Sequence, residues 1–187
     1  LRDGEEESSL ASRILVCGAD EDTVTLVDGI SSAVPDYAGR IITSDAASTQ
    51  AFVSAASISD IVILIVDPDE GLTHEARRNC YLASLLGVRH AVLLVDADDL
   101  AGLSHETYEE VSGEFFASCE KLHFETAVCI PASLMHGQNL RERSAAANWH
   151  DGPSLLEHLS SCGTREDLDA QPLRVSVEKA ETAESDS

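Results

Sequence analysis

The sequence predicts an α/β domain with a doubly wound, mostly parallel sheet and helices on both faces. Three observations carry that reading. Asp60-Ile-Val-Ile-Leu-Ile-Val66 and His90-Ala-Val-Leu-Leu-Val95 are apolar without alternation, so each is expected to be a strand buried on both faces, as parallel strands are. Between them, residues 73–86 place Ala76, Cys80, Ala83 and Leu86 on one helical face, completing a βαβ unit. Strand-like and helix-like stretches alternate in the same way along most of the chain.

Residues 1–12 combine Asp3, Glu5, Glu6 and Glu7 with Gly and Ser, and are expected to form a solvated acidic tail. Residues 13–18 read as the first strand. Residues 18–25 read as an acidic loop before a helix that opens at Leu26, with Asp22 or Thr23 as its cap. Residues 36–43 suggest a short second strand, and residues 44–50 the N-capped start of a small helix running to about residue 59. The strand at 60–66 is followed by Asp67-Pro-Asp-Glu-Gly71, a turn by composition. Gly87 closes the next helix.

After the strand at 90–95, residues 104–122 read as a long helix. Ser104 is its expected N-cap with Glu106 as capping partner, and Tyr108, Val111, Phe115 and Leu122 form its buried face. A fifth strand is expected at 127–131, then a loop at 132–151. Gly152-Pro153 opens a last helix, with Pro in the first turn where its missing N–H costs nothing. Residues 172–177 alternate like a strand, and 178–187 are a second acidic tail. The expected domain is therefore 13–165, followed by a C-terminal segment at 166–187.

A chain of 187 residues with 43% hydrophobic content supports one core. With 34 acidic against 12 basic residues and a formal charge of -22, it repels phosphate backbones and anionic lipid, so no nucleic acid and no membrane partner is expected. The five cysteines are scattered and lack a CxxC pair, which argues against a disulfide framework or zinc ribbon and for a reducing cytoplasmic setting. No apolar stretch has the length a bilayer requires, and the acidic start is unlike a signal peptide. The histidines form no HExxH, and Ser133 and Ser154 sit outside any GxSxG elbow, so neither a metal nor a hydrolase site is expected.

A turn between a first strand and its helix is where backbone N–H groups can cradle a phosphate. The pattern GxxxxGK[ST] laid on residues 18–25 finds Gly18 and Thr25, but Thr23 replaces the second glycine and Val24 the lysine. Asp20, Glu21 and Asp22 add negative charge beside the would-be anion site. Two readings follow from these residues, a nucleotide site and an ordinary acidic turn.

Gly71-Leu-Thr-His-Glu-Ala-Arg-Arg78, Ala83-Ser-Leu-Leu-Gly-Val-Arg-His-Ala-Val-Leu93, Asn139-Leu-Arg-Glu-Arg-Ser144 and Trp149-His-Asp-Gly-Pro-Ser-Leu-Leu-Glu-His-Leu159 closely resemble the GTPase subunit of bacterial ATP sulfurylase, sulfate adenylyltransferase subunit 1, a translation-factor-like GTPase family. The resemblance implies a P-loop GTPase-like G domain that couples GTP hydrolysis to sulfate adenylation by a partner catalytic subunit. It extends from about residue 60 to 159 and is weaker before that.

The departures fall on the chemistry. The family's Asn-Lys-x-Asp lies on Asp96-Ala97-Asp98-Asp99, where only Asp99 keeps its implied role of accepting hydrogen bonds from guanine. The motif supporting the base falls on Ser133-Leu134-Met135 and keeps only its serine. The Asp-x-x-Gly element belongs near Asp45, yet residues 44–50 contain no glycine, and the segment before it is too short for the family's switch I. The resemblance thus implies a residual nucleotide site at Gly18, Asp22, Thr25, Asp99 and Ser133, with no catalytic residue and no metal ligand.

Two expectations follow. One is a degenerate G domain, a pseudo-GTPase acting as an interaction or regulatory scaffold in sulfate activation, which needs no cofactor. The other is a genuine GTPase subunit of sulfate adenylyltransferase that uses GTP and magnesium. Because phosphoryl transfer depends on several positioned groups at once, the double substitution Thr23→Gly with Val24→Lys is expected to leave GTP hydrolysis at background. Measurable phosphate release by that variant would refute the account of the missing switches.

Overall fold

The computed structural model describes residues 12–162 apart from 19, 38 and 46. Five strands, β1 (Ile14–Gly18), β2 (Ile41–Asp45), β3 (Ile61–Val66), β4 (His90–Asp96) and β5 (Thr126–Ala132), alternate with five helices. These are α1 (Asp20–Ala33), α2 (Thr49–Ala56), α3 (His74–Leu85), α4 (His105–Cys119) and α5 (Leu155–Ser161). The sheet order is β2-β1-β3-β4-β5, and all four pairings are parallel. The expected doubly wound α/β architecture is therefore present, with every pairing parallel.

Alternation along the strands assigns the helices to the two faces. Leu15, Cys17, Val62, Leu64, Leu93 and Val95 pack with Phe52 of α2, Cys80 and Ala83 of α3, and Tyr108, Val111 and Phe115 of α4. The intervening Ile14, Val16, Ile61, Ile63, Val92 and Leu94 pack with Leu26 and Ile30 of α1 and with Leu155 and Leu159 of α5. At the amino ends of the strands, the buried Asp60 accepts the Arg13 N–H at 3.0 Å, and its carbonyl accepts the N–H groups of Arg89 and His90. One residue thus aligns the starts of three strands.

Several expected boundaries shift. The stretch expected as an acidic loop is already helical from Asp20, so neither Asp22 nor Thr23 is a cap. A 3-10 turn at Pro35–Tyr37 takes the place of the start of the second strand, which begins at Ile41. Ser48, within the stretch 44–50 expected to open the helix, caps α2, while Ser44 belongs to β2. Ser104 does cap α4, but it accepts from Thr107 N–H, so Glu106 is a first-turn acid and no capping partner.

Pro153 precedes α5 without entering its first turn. The N-cap is Ser154, in a reciprocal capping box with Glu157. Ser12, assigned to the tail, is buried. The strand expected at 172–177 and nearly all of both acidic tails lie outside the described residues.

After β5 the chain is held by Asn139, which is buried and has a φ of 59°. Its amide donates to the Pro131 carbonyl at 2.7 Å and accepts the Ser144 N–H at 3.3 Å. Replacing it by Ala removes both bonds from a left-handed position that Asn tolerates better than Ala. Asn139→Ala is expected to lower unfolding free energy by about 2–4 kcal/mol in urea titration. A loss below about 0.5 kcal/mol would show that neither bond carries the loop.

Candidate functional site

In an open parallel sheet, ligands bind beyond the carboxyl ends of the strands where the order reverses, here between β1 and β3. A cavity of about 960 Å³ occupies that place, bounded by Gly18, Asp22, the turn after β3, the start of α3, residues 96–99 and the start of α4. Eight of its 19 lining residues are carboxylates: Asp22, Asp67, Asp69, Glu70, Glu75, Asp96, Asp98 and Asp99. Among the described residues, none that lines it is Lys, Arg or His.

The carboxyl end of β4 builds the most constrained part. Asp96 accepts the Leu134 N–H at 2.8 Å. Burial nevertheless pushes its carboxyl up to about 6, and Asp22, Asp98 and Asp67 reinforce the shift by repulsion. Ala97 is buried in the core, and its N–H donates to the Ala132 carbonyl at 2.9 Å. Asp99 is exposed and folds back on its own loop, accepting the Ala101 N–H at 3.2 Å.

Ser133 lies behind this loop, fully buried, and its hydroxyl donates to the Asp98 carbonyl at 2.8 Å. Gln138 completes the connection. Its side-chain oxygen accepts the Leu100 N–H at 3.1 Å, and its backbone exchanges two bonds with Ser133.

The five sequence-predicted positions are thus only partly brought together. Gly18, Asp22 and Asp99 line the strand-end cavity. Ser133 is packed behind it, with its hydroxyl engaged by the protein. Thr25 lies elsewhere, in a separate cavity of about 250 Å³ bounded by α1, α5 and residues 134–141.

The phosphate-loop comparison changes most. Because α1 begins at Asp20, the stretch laid on the pattern is helical from its third residue. Val24, at the lysine position, is 59% exposed and does not line the cavity. Gly18 has a packing reason of its own, since a Cβ there would stand 2.9 Å from Ile65 Cβ. Gln138 carries no expectation from sequence, although Gly137-Gln-Asn139 after a strand is a visible turn signal.

No protein-family model matches the chain. Its G-domain region is homologous to curated proteins named bifunctional enzyme CysN/CysC, bifunctional enzyme NodQ and sulfate adenylyltransferase subunit 1. It is 41% identical over 111 residues to the bifunctional enzyme CysN/CysC of Mycobacterium tuberculosis, covering 59% of this chain and 18% of that protein. It is 35% identical over 130 residues to the bifunctional enzyme NodQ of Rhizobium meliloti, covering 70% and 20%. Sulfate adenylyltransferase subunit 1 of Salmonella paratyphi C is 30% identical over 131 residues, covering 70% and 27%. The matched region therefore spans between 18% and 27% of the length of these relatives.

Among solved structures, Sup35 complexed with GMPPNP superposes with a TM-score of 0.55 at 19% identity, covering 83% of this chain and 47% of that one. The bacterial selenocysteine-specific elongation factor EF-Sec gives 0.52 at 14% identity, covering 80% and 29%. The fold is that of a GTPase G domain.

The shifted carboxyl of Asp96 gives a signed pH dependence. Its folded pKa lies above the unfolded value, so the folded state holds the proton more tightly. The group costs nothing at low pH and becomes destabilising as pH rises through the window from about 4 to 6. Asp96→Asn keeps an acceptor for Leu134 and is expected to stabilise the fold at pH 8 by about 1 kcal/mol, a figure discounted for partial exposure. In urea melts that gain should vanish near pH 4; a gain independent of pH would refute the assignment.

Proposed function

We propose that the chain is a degenerate G domain, a pseudo-GTPase that keeps the scaffold and a partner surface while lacking the means to hold and hydrolyse GTP. The observation that carries this reading is the strand-end cavity, with eight carboxylates and no basic side chain among its lining residues. Two like charges about 4 Å apart repel by about 4 kcal/mol near a protein surface, and a triphosphate would meet several carboxylates at once. Phosphoryl transfer needs the opposite arrangement, with cations placed where charge develops. The guanine-reading loop supports the same conclusion, since Ala97 is buried, Asp96 is tied to Leu134, and Asp99 bonds within its own loop.

The role that fits is a protein-interaction or regulatory scaffold in sulfate activation, with a sulfate adenylyltransferase catalytic subunit as the proposed partner. Support comes from homology to sulfate adenylyltransferase subunit 1 and from the exposed Tyr81 and Leu85 on α3 and Phe116 on α4. The proposal needs no nucleotide or metal cofactor and assigns a cytoplasmic setting. No helix among the described residues is long and apolar enough to cross a membrane.

A second reading, a GTP-binding subunit that uses magnesium, is favoured by the retention of Asp99 and Ser133 at the base-recognition positions. Thermal unfolding with and without GTP and magnesium separates the two. A micromolar site at thousandfold excess of ligand would add about 4 kcal/mol of stability. The expected result is an unchanged melting temperature at millimolar GTP; a clear rise would transfer the conclusion to the second reading.

A further inference from the structure

The helices α3 and α4 meet along a seam that holds two sulfurs together. Arg77 donates to Glu114 at 2.7 Å and to Ser118 at 3.3 Å on one side, and Ser84 Oγ accepts the His123 N–H at 2.9 Å on the other. Between these ties, Cys80 Sγ of α3 lies 3.6 Å from Cys119 Sγ, the last residue of α4. The two residues are 39 apart in sequence, so only the packing of the helices makes them neighbours. A disulfide requires the sulfurs to close to about 2.05 Å, a short approach for side chains already facing each other.

We propose that Cys80 and Cys119 form a reversible redox pair, at which a hydroperoxide converts two thiols into a disulfide that ties α3 to α4.

The two sulfurs are unequal in the way such a pair requires. Cys119 is half-buried, whereas Cys17, Cys80, Cys129 and Cys162 are buried. The contact between the two sulfurs, in which either can donate, lowers the Cys119 thiol below its ordinary range, and the same contact together with burial raises Cys80. Cys119 is therefore the attacking sulfur and Cys80 the resolving one. The Cys119 thiolate attacks the terminal oxygen of the hydroperoxide, breaking the O–O bond to give a sulfenic acid and an alkoxide, or hydroxide from hydrogen peroxide. Cys80 loses its proton and attacks the Cys119 sulfur, forming the S–S bond and releasing hydroxide. The two protons lost from the thiols neutralise the two leaving anions, so the products are one disulfide, one alcohol or water, and one further water. The other cysteines are poorly suited. Asn79 donates to Cys17 at 3.3 Å, and burial pushes Cys129 up to about 12.

The test uses the full chain, reduced, exposed to hydrogen peroxide, alkylated and mapped by peptide mass spectrometry. One Cys80–Cys119 link is expected, with titratable thiols falling from the five in the sequence to three as two are consumed, and dithiothreitol restoring all five. In Cys80→Ser, Cys119 should accumulate as a sulfenic acid trapped by dimedone. In Cys119→Ser, the remaining four thiols should survive the same exposure. Wild-type Cys119 advancing to sulfinic acid without a link, or linking to a second chain while the circular dichroism spectrum is unchanged, would overturn the proposal.

Discussion

The need to cover both faces of a parallel sheet governs the rest of this molecule. Its central strands β1, β3 and β4 each pair on both edges, so they present apolar side chains to both faces. Crossover helices must then be divided between two layers. Ile14 and Val16 call for α1 and α5, and Leu15 and Cys17 for α2, α3 and α4. A slip of one residue in any strand would exchange the two sets, which explains why Asp60 is worth burying where it aligns three strand starts.

That arrangement delivers five carboxyl ends to one edge and creates a cavity there whatever its lining contains. At the end of β4 the loop is closed by Ser133, Gln138 and Leu134 against residues 96–100. The polar groups of that closure are directed inward to the protein. Eight of the 19 residues that line the cavity are carboxylates, so an anion placed there would meet repulsion.

Much of the architecture was legible because burial leaves a periodic trace. The runs at 60–66 and 90–95, the small-residue face of α3 and the aromatic face of α4 all follow from spacing, and each lies where expected. The region between β1 and β3 was harder. Asp20 to Thr25 carries polar residues that suit a loop, yet α1 starts at once, because Leu26 and Ile30 must reach the sheet while Asp22 stays at its edge. Residues 44–50 signalled a capped helix start but not which serine caps; Ser44 goes to the sheet and Ser48 to the helix.

Sequence by itself determined the parallel α/β class, the chain order of its elements, the likeness to sulfate adenylyltransferase subunit 1 and the presence of Thr23 and Val24 where the phosphate-loop pattern has glycine and lysine, since these depend on residue type and local period. Only the tertiary structure decided which of the surviving positions share a site. Gly18, Asp22 and Asp99 meet at the strand ends, Ser133 is sealed behind them and Thr25 is turned to another cavity. It also brought Cys80 to Cys119. Both outcomes depend on how helices pack across a sheet, a relation between residues far apart in the chain that no local pattern encodes.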